Sequence, residues 1–314
     1  MGWETAWREA CARVAGAANG IAAGGETARP ECGERVGPGV VLLVGASDTG
    51  KSTLAAWLTN ACLRAGWQVA VVDADVGQSD IGPPGTVGLG FPVGPIERLG
   101  QIPARYLGFV GTTSPPRALG EHVVATAEMV YWARETAKAV IVDTTGMVSG
   151  FCGQRLKELK IQAVRPDWII ALHQENELAP ILRGLQGRAV PRVLRLPVCA
   201  RARVRSREER RDTRQKSLAR YLAGAQPLDL SLERVGFLRS MWVEDLKREV
   251  PAERFRHLWV GLADDRGRVL AVGTVLEVSY AAGVMRVLTP WLQAAAVATV
   301  ILGSMHVAPD GREE

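Results

Sequence analysis

The chain has 314 residues, 47% of them apolar and 23% charged, the balance of a globular protein with a real core, which excludes wholesale disorder and fibrous repeats. Net charge is +5, yet residues 201–220 alone carry nine basic against three acidic side chains, so a generally basic surface is excluded and one local phosphate-binding element is expected. Cys11, Cys32, Cys62, Cys152 and Cys199 are scattered without a CxxC pair, which argues against a disulfide framework or zinc ribbon and fits a reducing, cytoplasmic setting.

Trp3, Trp7, Ala10 and Val14 stand at helical spacing, with no basic start ahead of an apolar run, so the N-terminus reads as a helix and not as a secretory signal. A Gly/Glu/Pro-rich linker over about 19–38 follows. Apolar runs at 40–44, 69–73, 106–110, 139–143, 168–172 and 193–196 read as strands, mostly separated by helix-compatible stretches such as 54–65, 119–137 and 153–164. Continuous apolar strands alternating with helices imply a parallel sheet covered on both faces. After 224–229 the pattern changes: 257–263, 268–280 and 284–288, joined by DDRG and AAG, read as a β-meander. The uncharged stretch 287–305 is long enough to raise a membrane span, but Pro290, Gln293, Thr299 and Ser304 interrupt it and assign it to core.

The first strand runs directly into Gly45-Ala46-Ser47-Asp48-Thr49-Gly50-Lys51-Ser52-Thr53, a GxxxxGK[ST] match between a strand and a helix. Such a loop curls backbone N–H groups around phosphate oxygens; Lys51 would reach the β and γ phosphates of ATP, and Ser52 would ligate Mg²⁺. A P-loop needs an acidic partner at a neighbouring strand end. Two strands offer one: the 69–73 strand ends in Asp73 and Asp75, the 139–143 strand in Asp143. Asp73 and Asp143 are candidate Mg²⁺ partners; Asp75, closer to the turn, is the better candidate base.

On a helix over the arginine stretch, Arg207, Arg210, Arg211 and Arg214 fall within about 100° of one another, with Glu208, Glu209 and Asp212 opposite. Leu218, Tyr221 and Leu222 continue the arginine side, so these arginines extend a docking face, the reverse of a solvated charged helix. Guanidinium groups beside a P-loop suit a phosphoryl-transfer lid. Thr113 and Ser114 lie between a strand and a helix, where they could cap the helix or touch a phosphate. Trp67, Trp132 and Trp168 read as core, and the four histidines show no metal-ligand spacing.

In order and spacing, GASDTGKST, DADVGQSDIGPPGTVGL, FVGTTSP, VIVDTTGMVSG and RSREERRDTRQKSLARYL resemble the polynucleotide 5'-hydroxyl kinase family. That family includes the P-loop subunit of the eukaryotic pre-mRNA cleavage factor and the nucleolar kinase of pre-ribosomal RNA processing. The C-terminal segment from VGLADDRGRVLAVGTVLEVSY through RVLTP and DGRE is similar to the family's terminal β domain. The resemblance implies transfer of the ATP γ-phosphate to the 5'-hydroxyl end of RNA or DNA. Lys51 and Ser52 would hold ATP and Mg²⁺, Asp75 would activate the hydroxyl, and Gln78 would sit beside the substrate end. Thr113 and Ser114 match the family's clasp, and Arg210, Arg211 and Arg214 its mobile lid. Met147 stands where the family usually carries a stacking Trp, and His173-Gln174-Glu175 where it usually reads DQE. No protein partner is implied.

The expected fold is therefore α/β: a P-loop NTPase-type parallel sheet with helices on both faces, an arginine-rich helical lid and a smaller C-terminal β-rich domain. Residues 1–38 would form a helix and linker, 39–228 the kinase domain with its lid at about 201–224, and 229–314 the β-rich domain. The expected activity is that of an ATP-dependent polynucleotide 5'-hydroxyl kinase without membrane association. The alternatives are an ATP-binding RNA-processing scaffold without turnover, and another P-loop kinase of a small substrate.

Overall fold

A computed structural model describes residues 2–16, 38–238 and 251–314; most of the expected linker, with Cys32, lies outside them. In chain order the elements are α1 (Trp3–Gly16), β1 (Gly39–Gly45), α2 (Lys51–Arg64), β2 (Val69–Ala74), β3 (Thr86–Gly90), β4 (Tyr106–Phe109), α3 (Leu119–Thr136) and β5 (Ala139–Thr144). They continue with α4 (Gly150–Val164), β6 (Trp168–His173), α5 (Ala179–Arg183), β7 (Arg192–Pro197), α6 (Arg207–Leu222), β8 (Gln226–Ser231), β9 (Gly236–Leu238), β10 (Leu258–Ala263), β11 (Val269–Ser279), β12 (Val284–Thr289) and β13 (Thr299–His306). The chain forms two compact units, each assembled from separate segments.

The first unit comprises residues 1–75, 89–105 and 126–204. Its sheet is parallel: β1 lies between β5 and β6, β5 also pairs β2, and β6 also pairs β7. Val40, Val41, Leu42, Leu43 and Val44 of β1 are fully buried, as are the middle residues of β2, β5 and β6. This is the continuous apolar signature of strands covered on both faces. On α1, Trp7, Ala10 and Val14 are buried at the spacing seen in the sequence.

The second unit comprises residues 76–88, 106–125 and 205–314. Here the strands are mainly antiparallel: β10 pairs β11 and β13, β11 pairs β12 and β4, and β12 pairs β8, while β13 pairs β9 in parallel. The meander expected over 257–288 is thus present as β10, β11 and β12. The apolar stretch 287–305 supplies the end of β12 and most of β13, and among the described residues no helix is long and apolar enough to cross a membrane. Alternation along β10 sorts its side chains onto two faces. Val260 and Leu262 join a core with Val275, Met285 and Val300, while Trp259 and Ala263 join Phe109, Leu218 and Leu222. Leu218 and Leu222 belong to α6, so that helix is anchored on one face of the β-rich unit.

Ile141 sits at the centre of β5, fully buried, in register with Val41 on one side and Val71 on the other. Ile141→Ala removes three buried carbons that close-packed neighbours cannot replace. We expect a loss of about 2–5 kcal/mol of unfolding free energy, read as a lower denaturant midpoint. A loss below about 1 kcal/mol would contradict the packing described here.

Candidate active site

β1 ends at Gly45 and α2 begins at Lys51, with the glycine-rich segment as the turn between them. Asp48 (φ 58°) and Gly50 (φ 92°) adopt left-handed conformations, the kind of reversal that gathers successive N–H groups into an anion-binding concavity at a helix N-terminus. The loop is braced from within: Thr49 Oγ1 and Lys51 Nζ both donate to the Ala46 carbonyl, at 2.9 and 2.6 Å. It is also braced from outside. A β-carbon at Gly50 would stand 2.9 Å from both Trp7 Cη2 and Cys199 Cβ, so α1 covers the loop, and Trp7 is fixed there by donating Nε1–H to the Pro197 carbonyl at 2.9 Å. Trp3 and Trp57 pack edge-on against the same indole. This bracing role of the N-terminal helix was not legible in its periodicity, which shows an apolar stripe and not what the stripe covers.

Parallel pairing puts Asp73 and Asp143 in register at adjacent strand ends. Asp143 Oδ2 accepts the Ser52 hydroxyl at 2.5 Å, and its other oxygen accepts the Thr144 N–H at 2.8 Å. Asp73 Oδ1 accepts the Asp75 N–H at 3.0 Å, so the chain bends immediately after β2. Asp73 and Asp143 are buried, at 1% and 2% exposure, whereas Asp75 is half-buried. A hydroxyl and buried carboxylates are hard oxygen donors, and Mg²⁺ is held by one or two carboxylates together with substrate phosphates. The Ser52–Asp143 pair, with Asp73 beside it, therefore fits that ion. Gly146, just beyond β5, closes the arrangement: a β-carbon there would lie 2.4 Å from the Ser47 nitrogen and Oγ, so only hydrogen at this position lets the strand-end turn rest on the phosphate loop.

Two residues absent from the sequence-based candidates complete this unit. Lys157 and Lys160 of α4 are fully buried. Lys157 Nζ donates to Thr144 Oγ1 at 2.7 Å and to the Thr145 carbonyl at 2.5 Å; Lys160 Nζ donates to the Ala74 carbonyl at 3.3 Å. Burial drives the Lys157 amine well below the usual lysine range, and the neighbouring positive charges of Lys160 and Lys51 push the same way. Burial lowers Lys160 to about 7, opposed by the negative charges of Asp75, Asp73 and Asp143. A signal for both was present: Gly153, Leu156, Lys157, Lys160, Ile161 and Val164 are the buried residues of α4, and that spacing is one continuous core stripe in which two positions are lysine. Met147, in the same turn region, is half-buried. Beyond β6, His173 Nδ1 lies 3.2 Å from the Glu175 carbonyl.

The second unit carries the remaining candidates. Gln78 Nε2 donates to the Gly77 carbonyl at 2.7 Å and to the Arg210 carbonyl at 3.2 Å, while its Oε1 accepts from Arg205 at 3.2 Å. The expected substrate-end glutamine and the start of the arginine helix are therefore one bonded group, to which Arg205 is an addition. Ser206 caps α6 through a reciprocal pair with Glu209. Arg214 makes a two-pronged ion pair with Glu313, at 2.8 and 2.9 Å, and Arg211 donates to the Glu313 carbonyl at 3.2 Å. Leu218 and Leu222 are buried and the Tyr221 hydroxyl accepts the Val272 N–H at 3.1 Å, so the helix docks on the side that its angular arrangement indicated. Arg207 and Arg211 remain exposed. Ser114 makes no side-chain cap bond; the turn bond there comes from Thr112, whose Oγ1 accepts the Ser114 N–H at 3.2 Å.

The family model described as "mRNA cleavage and polyadenylation factor CLP1 P-loop" matches residues 45–224. A Pyrococcus furiosus protein named polyribonucleotide 5'-hydroxyl-kinase is 31% identical over 322 residues, covering 88% of this chain and 90% of its own. The Methanocaldococcus jannaschii protein of that name is 40% identical over 186 residues, 59% of this chain and 51% of that one. The Xenopus tropicalis polyribonucleotide 5'-hydroxyl-kinase Clp1 is 32% identical over 202 residues, 61% of this chain and 45% of its own. Among solved structures, a wild-type Clp1p–Pcf11p complex aligns with a TM-score of 0.67 at 14% identity, covering 85% of this chain and 74% of that one, a likeness of fold. With its phosphate loop, its strand-end carboxylates and its arginine helix all inside the matched span, the chain belongs to the CLP1 P-loop family.

Proposed function

We propose that this chain is an ATP-dependent polynucleotide 5'-hydroxyl kinase acting on RNA ends. The observation that carries the reading is the Ser52–Asp143 pair at the phosphate loop, with Asp73 and Asp75 at the adjacent strand end. It is supported by the names of the relatives, which are polyribonucleotide kinases. Four described cysteines are free thiols, which fits action in a reducing cytoplasm.

In this reading the loop residues 45–53 bind the triphosphate and Lys51 leaves the Ala46 carbonyl for phosphate oxygens. Asp75 accepts the proton of the terminal 5'-hydroxyl as its oxygen forms a bond to the γ-phosphorus and the bond from that phosphorus to the β-γ bridging oxygen breaks, releasing ADP. Mg²⁺, when bound by Ser52 with Asp143 and Asp73, supplies charge neutralisation at the phosphates. The family resemblance assigns Gln78, Thr113, Ser114 and Met147 to the substrate end and Arg210, Arg211 and Arg214 to the lid. Planar guanidinium donors match the equatorial oxygens of a loose transition state, and their work falls at that stage. Positioning and charge stabilisation carry the catalysis.

Label transfer from γ-labelled ATP to a 5'-hydroxyl oligoribonucleotide tests the reading; no transfer to single-stranded RNA, single-stranded DNA or duplex ends would overturn it. Asp75→Asn should lower turnover by about 10²–10⁴-fold while titration calorimetry finds ATP affinity little changed. In Gly146→Ala the added methyl collides with Ser47, and ATP affinity should fall by about tenfold or more, equivalent to about 1.4 kcal/mol. Arg211→Ala should reduce kcat more than it weakens ATP binding; equal losses in both would remove Arg211 from the lid role.

A further inference from the structure

Lys157 and Lys160 are buried on one face of α4 and have no role in the proposed phosphoryl transfer. Each amine reaches the end of a different strand. Lys157 holds Thr144 and Thr145, the residues directly after Asp143. Thr144 in turn donates its hydroxyl to the Leu43 carbonyl of β1 at 2.7 Å and its N–H to Asp143. One amine thus ties the end of β5 to the strand that feeds the phosphate loop, and through Asp143 to Ser52. Lys160 holds the Ala74 carbonyl, the peptide between Asp73 and Asp75. The bend that separates these two carboxylates, marked by the Asp75 N–H to Asp73 bond, is fixed from behind by this second amine.

Stability alone does not explain the pair. Burying an amine costs free energy that apolar side chains of similar length do not incur. The bonds described for the two amines go to carbonyls and a hydroxyl, which an amine donates to in either protonation state. What the two amines do fix is geometry, and they fix it at the turns bearing the candidate base and the candidate ion ligands.

Resting on the kinase reading, we propose that Lys157 and Lys160 are positioning residues: Lys157 sets the Asp143–Ser52 pair against the phosphate loop, and Lys160 sets Asp75 at the end of β2. They act through the backbone turns they hold, from one helix, so the two turns are placed relative to each other by the three-residue spacing on α4.

Lys157→Met and Lys160→Met in the full chain separate this role from a structural one, with unfolding midpoint, ATP affinity with and without Mg²⁺, and label transfer measured on each. Each variant should keep a cooperative unfolding transition, so that its losses are read on a folded chain. Lys160→Met should keep ATP affinity and KM for the RNA end while kcat falls about 100-fold, the effect of a reacting group misplaced by about 1 Å. Lys157→Met should lose about tenfold of the Mg²⁺-dependent gain in ATP affinity, as removal of an outer partner of a metal ligand does. Wild-type kcat and a wild-type Mg²⁺ gain in both variants would overturn the proposal, as would a lowered midpoint with all activities falling in parallel. If a methionine variant does not fold, the glutamine variant, which keeps an N–H donor without the charge, is measured in its place: wild-type kcat and Mg²⁺ gain support positioning by the donated bond, and parallel loss of every activity overturns it. Absence of label transfer by the wild-type chain would sink the kinase reading instead, and the Mg²⁺ gain in nucleotide binding would then decide the positioning role by itself.

Discussion

Three carboxylates and three amines share the carboxyl ends of the first unit's central strands, and most of that charge is out of water. Asp73, Asp143, Lys51, Lys157 and Lys160 are all buried, and Asp75 is half-buried. In a medium of low effective dielectric such groups are tolerable only when they compensate one another and their hydrogen-bonding capacity is met. The phosphate loop, the β2 bend and the β5 turn meet this requirement together: Lys51 on Ala46, Ser52 on Asp143, Lys157 on Thr144 and Thr145, Lys160 on Ala74. The parallel register that aligns Asp73 with Asp143 supplies the common plane. A site whose buried groups compensate one another in this way is what preorganised electrostatic catalysis asks of a fold.

Most of the frame was readable because its signals are local. A strand, a glycine-rich turn and a helix are contiguous over residues 40–64, and both acidic strand ends follow unbroken apolar runs. The face of α6 was also readable, since angular arithmetic on a charged helix places Leu218 and Leu222 whatever they dock against. Three things were not. β3 was missed because Gly88 and Gly90 break its apolar run, and glycine weakens any strand signature. β8 and β9 are short and half-exposed, so their pairing partners and not their composition make them strands. The contact of Trp7 with Gly50 joins residues 43 positions apart, and neither residue carries a mark of the other.

The lysines of α4 are the instructive omission. Their positions satisfy the helical core stripe as well as Leu156 and Ile161 do, but lysine is so commonly a surface residue that 153–164 reads from sequence only as a helix-compatible stretch between strands. A charged residue on the buried side of a helix that packs behind an acidic strand end is a physical anomaly visible in sequence once the stripe is drawn. The arginine helix makes the converse point. Its guanidinium groups were singled out by charge density, yet part of that charge is spent on the C-terminal residues: Arg214 pairs with Glu313 with both side chains only about one-fifth exposed, at 21% and 17%. Such a pair holds more firmly than an exposed one, typically worth 0–1 kcal/mol, and it fixes the helix against the β-rich unit on which Leu218 also rests.

The most direct measurement of the central claim is a crystal structure of the chain with a non-hydrolysable ATP analogue and Mn²⁺, in which anomalous scattering locates the cation. The ion should lie beside Ser52 and Asp143, the phosphates against residues 45–53, and Lys157 and Lys160 should still be bonded to Thr144, Thr145 and Ala74. An ion bound away from Ser52 and Asp143, or amines that swing off the two turns when nucleotide binds, would contradict that claim.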